Sequence, residues 1–157
     1  MTRRMLLPAA MVSVLLAGGC GRSKSEPFVE AAHAAFSNAT GDPAAATPIF
    51  NVHDLRASQT YYRDVLGFTV PWDYGDPPDF GAVKRGDTVI FLCQGCQGNP
   101  GAWVHVFTRD VDRLYGELVA RKAIIRMPPR DMPWHLREMQ VADPSGNVIR
   151  FASETRH

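Results

Sequence analysis

The chain has 157 residues, room for one domain, and its 45% apolar and 21% charged content excludes a disordered polypeptide. Formal net charge is +1, but two of the 17 basic residues, Arg3 and Arg4, lie in a leader of 19 residues without Asp or Glu; the rest carries 15 basic against 16 acidic residues. That balance excludes the electrostatic footprint of a nucleic-acid-binding protein and a polybasic membrane patch.

Residues 1–19 read as a signal peptide. Thr2-Arg3-Arg4 is a short positive segment, Met5 to Ala17 is apolar apart from Ser13, and small residues follow. A run this short does not comfortably span a bilayer but suits the core of a secretory signal. Leu16-Ala17-Gly18-Gly19-Cys20 resembles a bacterial lipobox, whose cysteine is acylated after cleavage; it departs from the pattern at Ala17, where leucine is preferred. Cys20 is therefore the expected lipidation site. The expected location is the cell envelope, anchored to a membrane on the periplasmic or outer face. Thr2-Arg3-Arg4-Met5-Leu6-Leu7 also resembles a twin-arginine signal, so the export route stays open. Residues 20–46 read as a tether, with a short Ala-rich helix over Glu26–Phe36 and a polar stretch broken by Pro43.

From Pro48 the pattern changes. Ile49–Val52 reads as a strand. Asp54 caps a helix on which Leu55, Tyr62, Val65 and Leu66 recur at helical spacing, and Gly67 ends it. Three strands follow at Phe68–Trp72, Phe80–Lys84 and Thr88–Cys93, with turns at Tyr74–Asp79 and Arg85–Asp87. The second half repeats the order. Trp103–Thr108 is a strand, Asp110 caps a helix with a stripe of Val111, Leu114, Leu118 and Val119, and Ala123–Met127 is a short strand. A Pro-rich loop at Pro128–Pro133 precedes strands at Leu136–Val141 and Val148–Ala152, joined by the turn Asp143-Pro144-Ser145-Gly146. A strand–helix–strand–strand–strand unit thus occurs twice.

The segments Asp54-Leu55, Tyr61-Tyr62-Arg63-Asp64-Val65-Leu66-Gly67-Phe68, Asp110-Val111-Asp112-Arg113-Leu114-Tyr115 and Asp143-Pro144-Ser145-Gly146-Asn147-Val148-Ile149-Arg150-Phe151 carry a resemblance. Over residues 47–154 the chain resembles the vicinal-oxygen-chelate superfamily of glyoxalases, bleomycin-resistance proteins and dioxygenases. The resemblance implies an α+β fold in which two βαβββ modules form a curved sheet around a cavity. It also implies a homodimer, since the family commonly shares its clefts between subunits.

Many family enzymes hold a divalent metal in that cavity, with ligands from the first and last strands of each module. The metal chelates two adjacent substrate oxygens and stabilises a developing oxyanion. Counted from the repeated motifs, the four positions fall at Thr47, Phe91, Trp103 and Arg150. None is a good ligand, and an arginine places a fixed positive charge where a cation would bind. The pattern resembles the bleomycin-resistance branch, whose members act by binding a drug, and no cofactor is expected.

Strand alternation puts Trp103, His105 and Phe107 on one face and Arg150 on the matching face of the last strand. Trp72 opens a loop to Phe80 with three aromatic residues and three carboxylates, a wall suited to a flat cationic ligand; the alternative is a turn whose aromatics finish the core. Trp134 is expected near the cleft mouth. The expected small-molecule site is Trp72, Phe91, Trp103, His105, Trp134 and Arg150. Two other functions compete with metal-free binding. A displaced metal site would draw on His53, His105, His135 and Glu138. An envelope interaction protein would have its pocket filled by an Arg150–Glu138 pair. Cys93-Gln94-Gly95-Cys96 follows a strand and lacks the second half of a zinc site, so it reads as a local disulfide or two free thiols.

Overall fold

The computed structural model describes residues 46–155. The signal peptide, Cys20 and the tether helix expected over 26–36 lie outside the described residues. The order is β1 (Ile49–Val52), α1 (Leu55–Asp64), β2 (Asp73–Gly75), β3 (Pro78–Arg85) and β4 (Thr88–Gln94), then β5 (Trp103–Phe107), α2 (Val111–Ala120), β6 (Ile124–Asp131), β7 (Leu136–Ala142) and β8 (Val148–Glu154). Two four-stranded sheets result, ordered β1-β4-β3-β2 and β5-β8-β7-β6. In each, the first strand of the module pairs parallel with the last. This is the expected pair of βαβββ modules.

Both helices start as the sequence dictates. The carboxylates of Asp54 and Asp110 accept hydrogen bonds from Ala57 N (2.8 Å) and Arg113 N (3.0 Å), each satisfying a donor of the first turn. After α1 the Phe68 N–H reaches back to Tyr62 O at 2.9 Å, while Gly67 takes φ +72°, the left-handed cap that a side chain disfavours. Each sheet packs one face on the helices. Phe50, Val52, Ile90 and Leu92 from the first sheet meet Leu55, Tyr62 and Leu66, and Met139, Val141, Ile149 and Phe151 from the second meet Leu114 and Leu118.

Two expected elements are corrected. The segment over Phe68–Trp72 is extended but bridges only once, between Thr69 and Lys84, and the strand falls at Asp73–Gly75, overlapping the turn expected at Tyr74–Asp79. A register shift between Tyr74 and Gly75 and φ +101° at Gly75 tighten that turn to fewer residues. The Pro-rich loop is also shorter than expected, because β6 runs through Pro128 and Pro129. β6 is an edge strand, and its register shifts between Met127 and Arg130, where the two prolines sit, so no ladder donor is demanded of them.

The family-like tyrosines have a structural task. Tyr61 donates to Ala142 O at 3.0 Å and accepts from Ile124 N at 2.9 Å, and Tyr62 donates to Asp143 Oδ2 at 3.3 Å. All three bonds join α1 of the first module to the second. Burial, with the Asp143 charge beside it, pushes the Tyr62 hydroxyl well above its ordinary pKa. Tyr62→Phe is expected to destabilise the protein by about 1 kcal/mol, the net worth of one buried hydrogen bond, read as a lower urea midpoint at unchanged slope.

Candidate functional site

The face of the second sheet turned away from α2 carries the chemistry. β5, β8 and β7 lie side by side, with His105 directly beside Arg150 and Glu138 beside Ala152. Side chains alternate along a strand, so Trp103, His105, Phe107, Arg150 and Glu138 share this face, while Val104, Val106, Ile149 and Phe151 pack inward. Glu138 and Arg150 are diagonal neighbours, a separation that two long side chains bridge.

Glu138 is the centre of the group and is 1% exposed. Its Oε1 accepts a hydrogen bond from Trp134 Nε1 at 2.8 Å and lies 3.6 Å from His105 Nε2. Its Oε2 lies 3.5 Å from Arg150 Nε. That contact is an ion pair and not a hydrogen bond, since neither Oε2 nor Nε has a hydrogen-bond partner. The guanidinium carbon sits 5.6 Å from the centre of the Trp103 ring, a cation–π contact. Trp103, Val104, His105 and Arg150 line an open hollow of about 310 Å³. A larger hollow of about 380 Å³ lies elsewhere, lined by Phe68, Arg85, Thr88 and Phe107 among others, and includes neither Glu138 nor any residue in contact with it.

Four of the six expected residues, Trp103, His105, Trp134 and Arg150, therefore gather around Glu138. Glu138 itself was not among the expected ligand-binding residues, although pairing with Arg150 was foreseen for a filled pocket. Trp72 and Phe91 stand on the first sheet, and neither lines the hollow beside Trp103. There they form a packed aromatic triad with Phe80, with centroids 5.2 Å apart for Trp72–Phe91 and 5.6 Å for each ring against Phe80. Trp72 is 6% exposed, as a residue that finishes the core would be. Of the loop carboxylates, Asp73 is taken up by Arg56 at 2.6 Å.

The strand registers also locate the four positions counted from the repeated motifs. The residues beside Phe91 and Arg150 are Ile49 and His105, two positions beyond Thr47 and Trp103 and on the same faces. His105 joins Glu138, but among the described residues no three His, Cys, Asp or Glu side chains form a metal-ligating group. His53 and His135 are exposed and are not brought to Glu138. Cys93 and Cys96 are paired in a disulfide, with Cα atoms 5.7 Å apart.

A second polar knot lies at the turn before β8. Asn147 is fully buried; its Nδ2 donates to Asn51 O and Asp143 Oδ2, both at 2.9 Å, and its Oδ1 accepts from Gly101 N and Ala102 N. Asn51 Nδ2 in turn donates to Gly98 O at 2.9 Å. Burial raises the Asp143 carboxyl above its ordinary pKa, against hydrogen bonds from Asn147, Ser145 and Tyr62 that lower it. This knot locks β1 and the loop before β5 to the end of β7, and so fixes where Trp103 enters the sheet.

Comparisons with known proteins agree with this architecture. The bleomycin resistance determinant encoded on the transposon Tn5 superposes with a TM-score of 0.62 at 17% identity, over 73% of this chain and 100% of that one. TioX from Micromonospora sp. ML1 gives 0.61 at 20% identity, over 71% and 100%. A glyoxalase/bleomycin resistance protein/dioxygenase superfamily member from Sphaerobacter thermophilus DSM 20745 gives 0.58 at 27% identity, over 70% and 98%. The first two likenesses show the fold alone. No curated protein matches the chain. The family model for the Glyoxalase/Bleomycin resistance protein/Dioxygenase superfamily matches residues 32–151, more than half of the chain, and the protein belongs to that superfamily.

Proposed function

We infer that this protein binds a small molecule without a metal, in the manner of the bleomycin-resistance branch. The observation that carries the reading is the self-neutralised group on the second sheet. A guanidinium stands at the metal-equivalent position of β8 and is charge-paired with a buried carboxylate, which disfavours a divalent cation there. Above this pair the hollow stays open, and Trp103, 52% exposed, forms its wall. An open hollow favours binding over a filled pocket. A site drawn from His53, His105, His135 and Glu138 has no support in the geometry, which leaves two of the histidines exposed. Export and acylation at Cys20 belong to the same reading and rest on the leader sequence. So does a homodimer, supported by the exposed apolar side chains Phe107 and Trp134 beside this hollow.

The test is a titration of the purified protein with aromatic ligands of either charge, bleomycin among them, in the presence of chelator, followed by tryptophan fluorescence. Trp103 and Trp134 both touch the Glu138–Arg150 group, so occupancy is expected to give a saturable change that chelator leaves intact. Trp103→Leu is expected to remove most of that change. No response to any of them at high concentration would sink the small-molecule-binding reading.

A further inference from the structure

We propose that the hollow on the second sheet selects an anionic aromatic ligand, a one- or two-ring carboxylate, held by Arg150 and Trp103. The proposal rests on the binding reading above and names its ligand class.

The charges decide the sign. The side chains that face the hollow are an indole, an imidazole and a guanidinium. The nearest carboxylate, Glu138, is buried beneath them and engaged by Trp134, His105 and Arg150, so it presents no free oxygen to the opening. Arg130 stands directly across from Glu138 on β6 and adds a second positive group to the same face. The other acid on the face is Glu154, four residues along β8 from Arg150, or roughly 13 Å at strand spacing. A cation entering the hollow would therefore meet Arg150 before any unengaged carboxylate.

The geometry of Arg150 adds to this. Its buried Nε faces Glu138, and the side chain keeps 34% of its surface accessible. Among the described residues neither of its two terminal nitrogens makes a hydrogen bond. Glu138 and Trp103 hold the guanidinium on two sides, and the part of it that stays accessible lines the hollow. That part matches a carboxylate with two parallel N–H···O bonds, a fit that an ammonium or an amide does not reproduce. The half-exposed Trp103 ring offers a stacking surface beside it. A volume of about 310 Å³ is at the lower end for small-molecule sites and sets the ligand at one or two fused rings.

The experiment is calorimetric titration of the full chain with 1-naphthoate, 1-naphthamide and 1-naphthylmethylammonium, three probes of one ring system and three charges. Naphthoate is expected to bind roughly tenfold or more tightly than the amide, and the ammonium most weakly. Trp103 is exposed, so Trp103→Leu leaves the fold intact, and it is expected to weaken all three probes by about fivefold. Glu138→Gln with Arg150→Gln keeps the buried pair neutral, and it is expected to abolish the preference for naphthoate. Amide or ammonium binding as tight as naphthoate would overturn the anionic ligand class while leaving small-molecule binding in place. No binding by any of the three would overturn the proposal, and a fluorescence titration silent toward every ligand tested would overturn the binding reading as well.

Discussion

Asn147→Ala is expected to lower the unfolding free energy by about 3–4 kcal/mol, read as a shift of the urea midpoint at unchanged slope. The side chain is fully buried and makes four hydrogen bonds, two to backbone N–H groups of the loop before β5, one to Asn51 O of β1 and one to Asp143. Alanine leaves each of those partners short, and a buried orphan costs about 1–3 kcal/mol. The sum is smaller than four full penalties because Gly101 is exposed and its N–H can turn to water. Asp143 gives the effect a pH signature. Burial already raises its folded pKa, so its contribution is most favourable below the unfolded aspartate value and is lost as pH rises through the folded pKa. Removing a donor raises that pKa further. The alanine deficit is therefore expected to shrink as pH falls toward the ordinary aspartate range. A deficit that stays constant or grows in acid would show that Asp143 does not feel the loss. Asn147→Asp is expected to be worse than alanine near neutrality, because it sets a second carboxylate against Asp143.

The turn that holds Asn147 is visible in the sequence as Asp143-Pro144-Ser145-Gly146, and Gly146 takes the positive φ of +85° that such a turn requires. What the turn reaches is not visible. The bond from Asn147 to Asn51 spans 96 residues, and nothing local encodes it. The same division holds elsewhere. Asp54 and Asp110 announce their helices because capping is a contact over three residues. The double proline at Pro128-Pro129 misleads, because a proline is excluded only from a paired ladder position, and edge position and register are properties of the sheet. Alternation put Trp103, His105 and Arg150 on one face, since a period of two survives without knowing the partner strand. Glu138 as the hub of the site needed the order β5-β8-β7 and two registers at once. Trp72 shows the opposite limit. An aromatic residue in a loop rich in Pro and Asp reads alike as a wall or as core, and only packing against Phe80 and Phe91 separates the two.

Glu138→Ala is expected to cost about 2–3 kcal/mol. Breaking a buried ion pair from one side costs about 3–5 kcal/mol, because the partner charge is left uncompensated. Arg150 and His105 keep 34% and 35% of their side-chain surface, so water relieves part of that penalty. Trp134 also loses the acceptor for its indole N–H, and the change around this half-exposed ring is expected to shift its fluorescence. Glu138→Gln keeps that acceptor and is expected to cost about 1 kcal/mol. The informative variant replaces both charges. The two side chains touch without a hydrogen bond between Oε2 and Nε, so they pay desolvation for an imperfect pair. Glu138→Leu with Arg150→Met is expected to lie within about 1 kcal/mol of the parent, since apolar replacement of a buried pair is often neutral or stabilising. A double variant as stable as the parent that no longer binds naphthoate would assign the pair to recognition. A double variant that loses as much stability as Glu138→Ala would show that the pair holds the sheet together, and the recognition role would then rest on Trp103 and the accessible part of Arg150 alone.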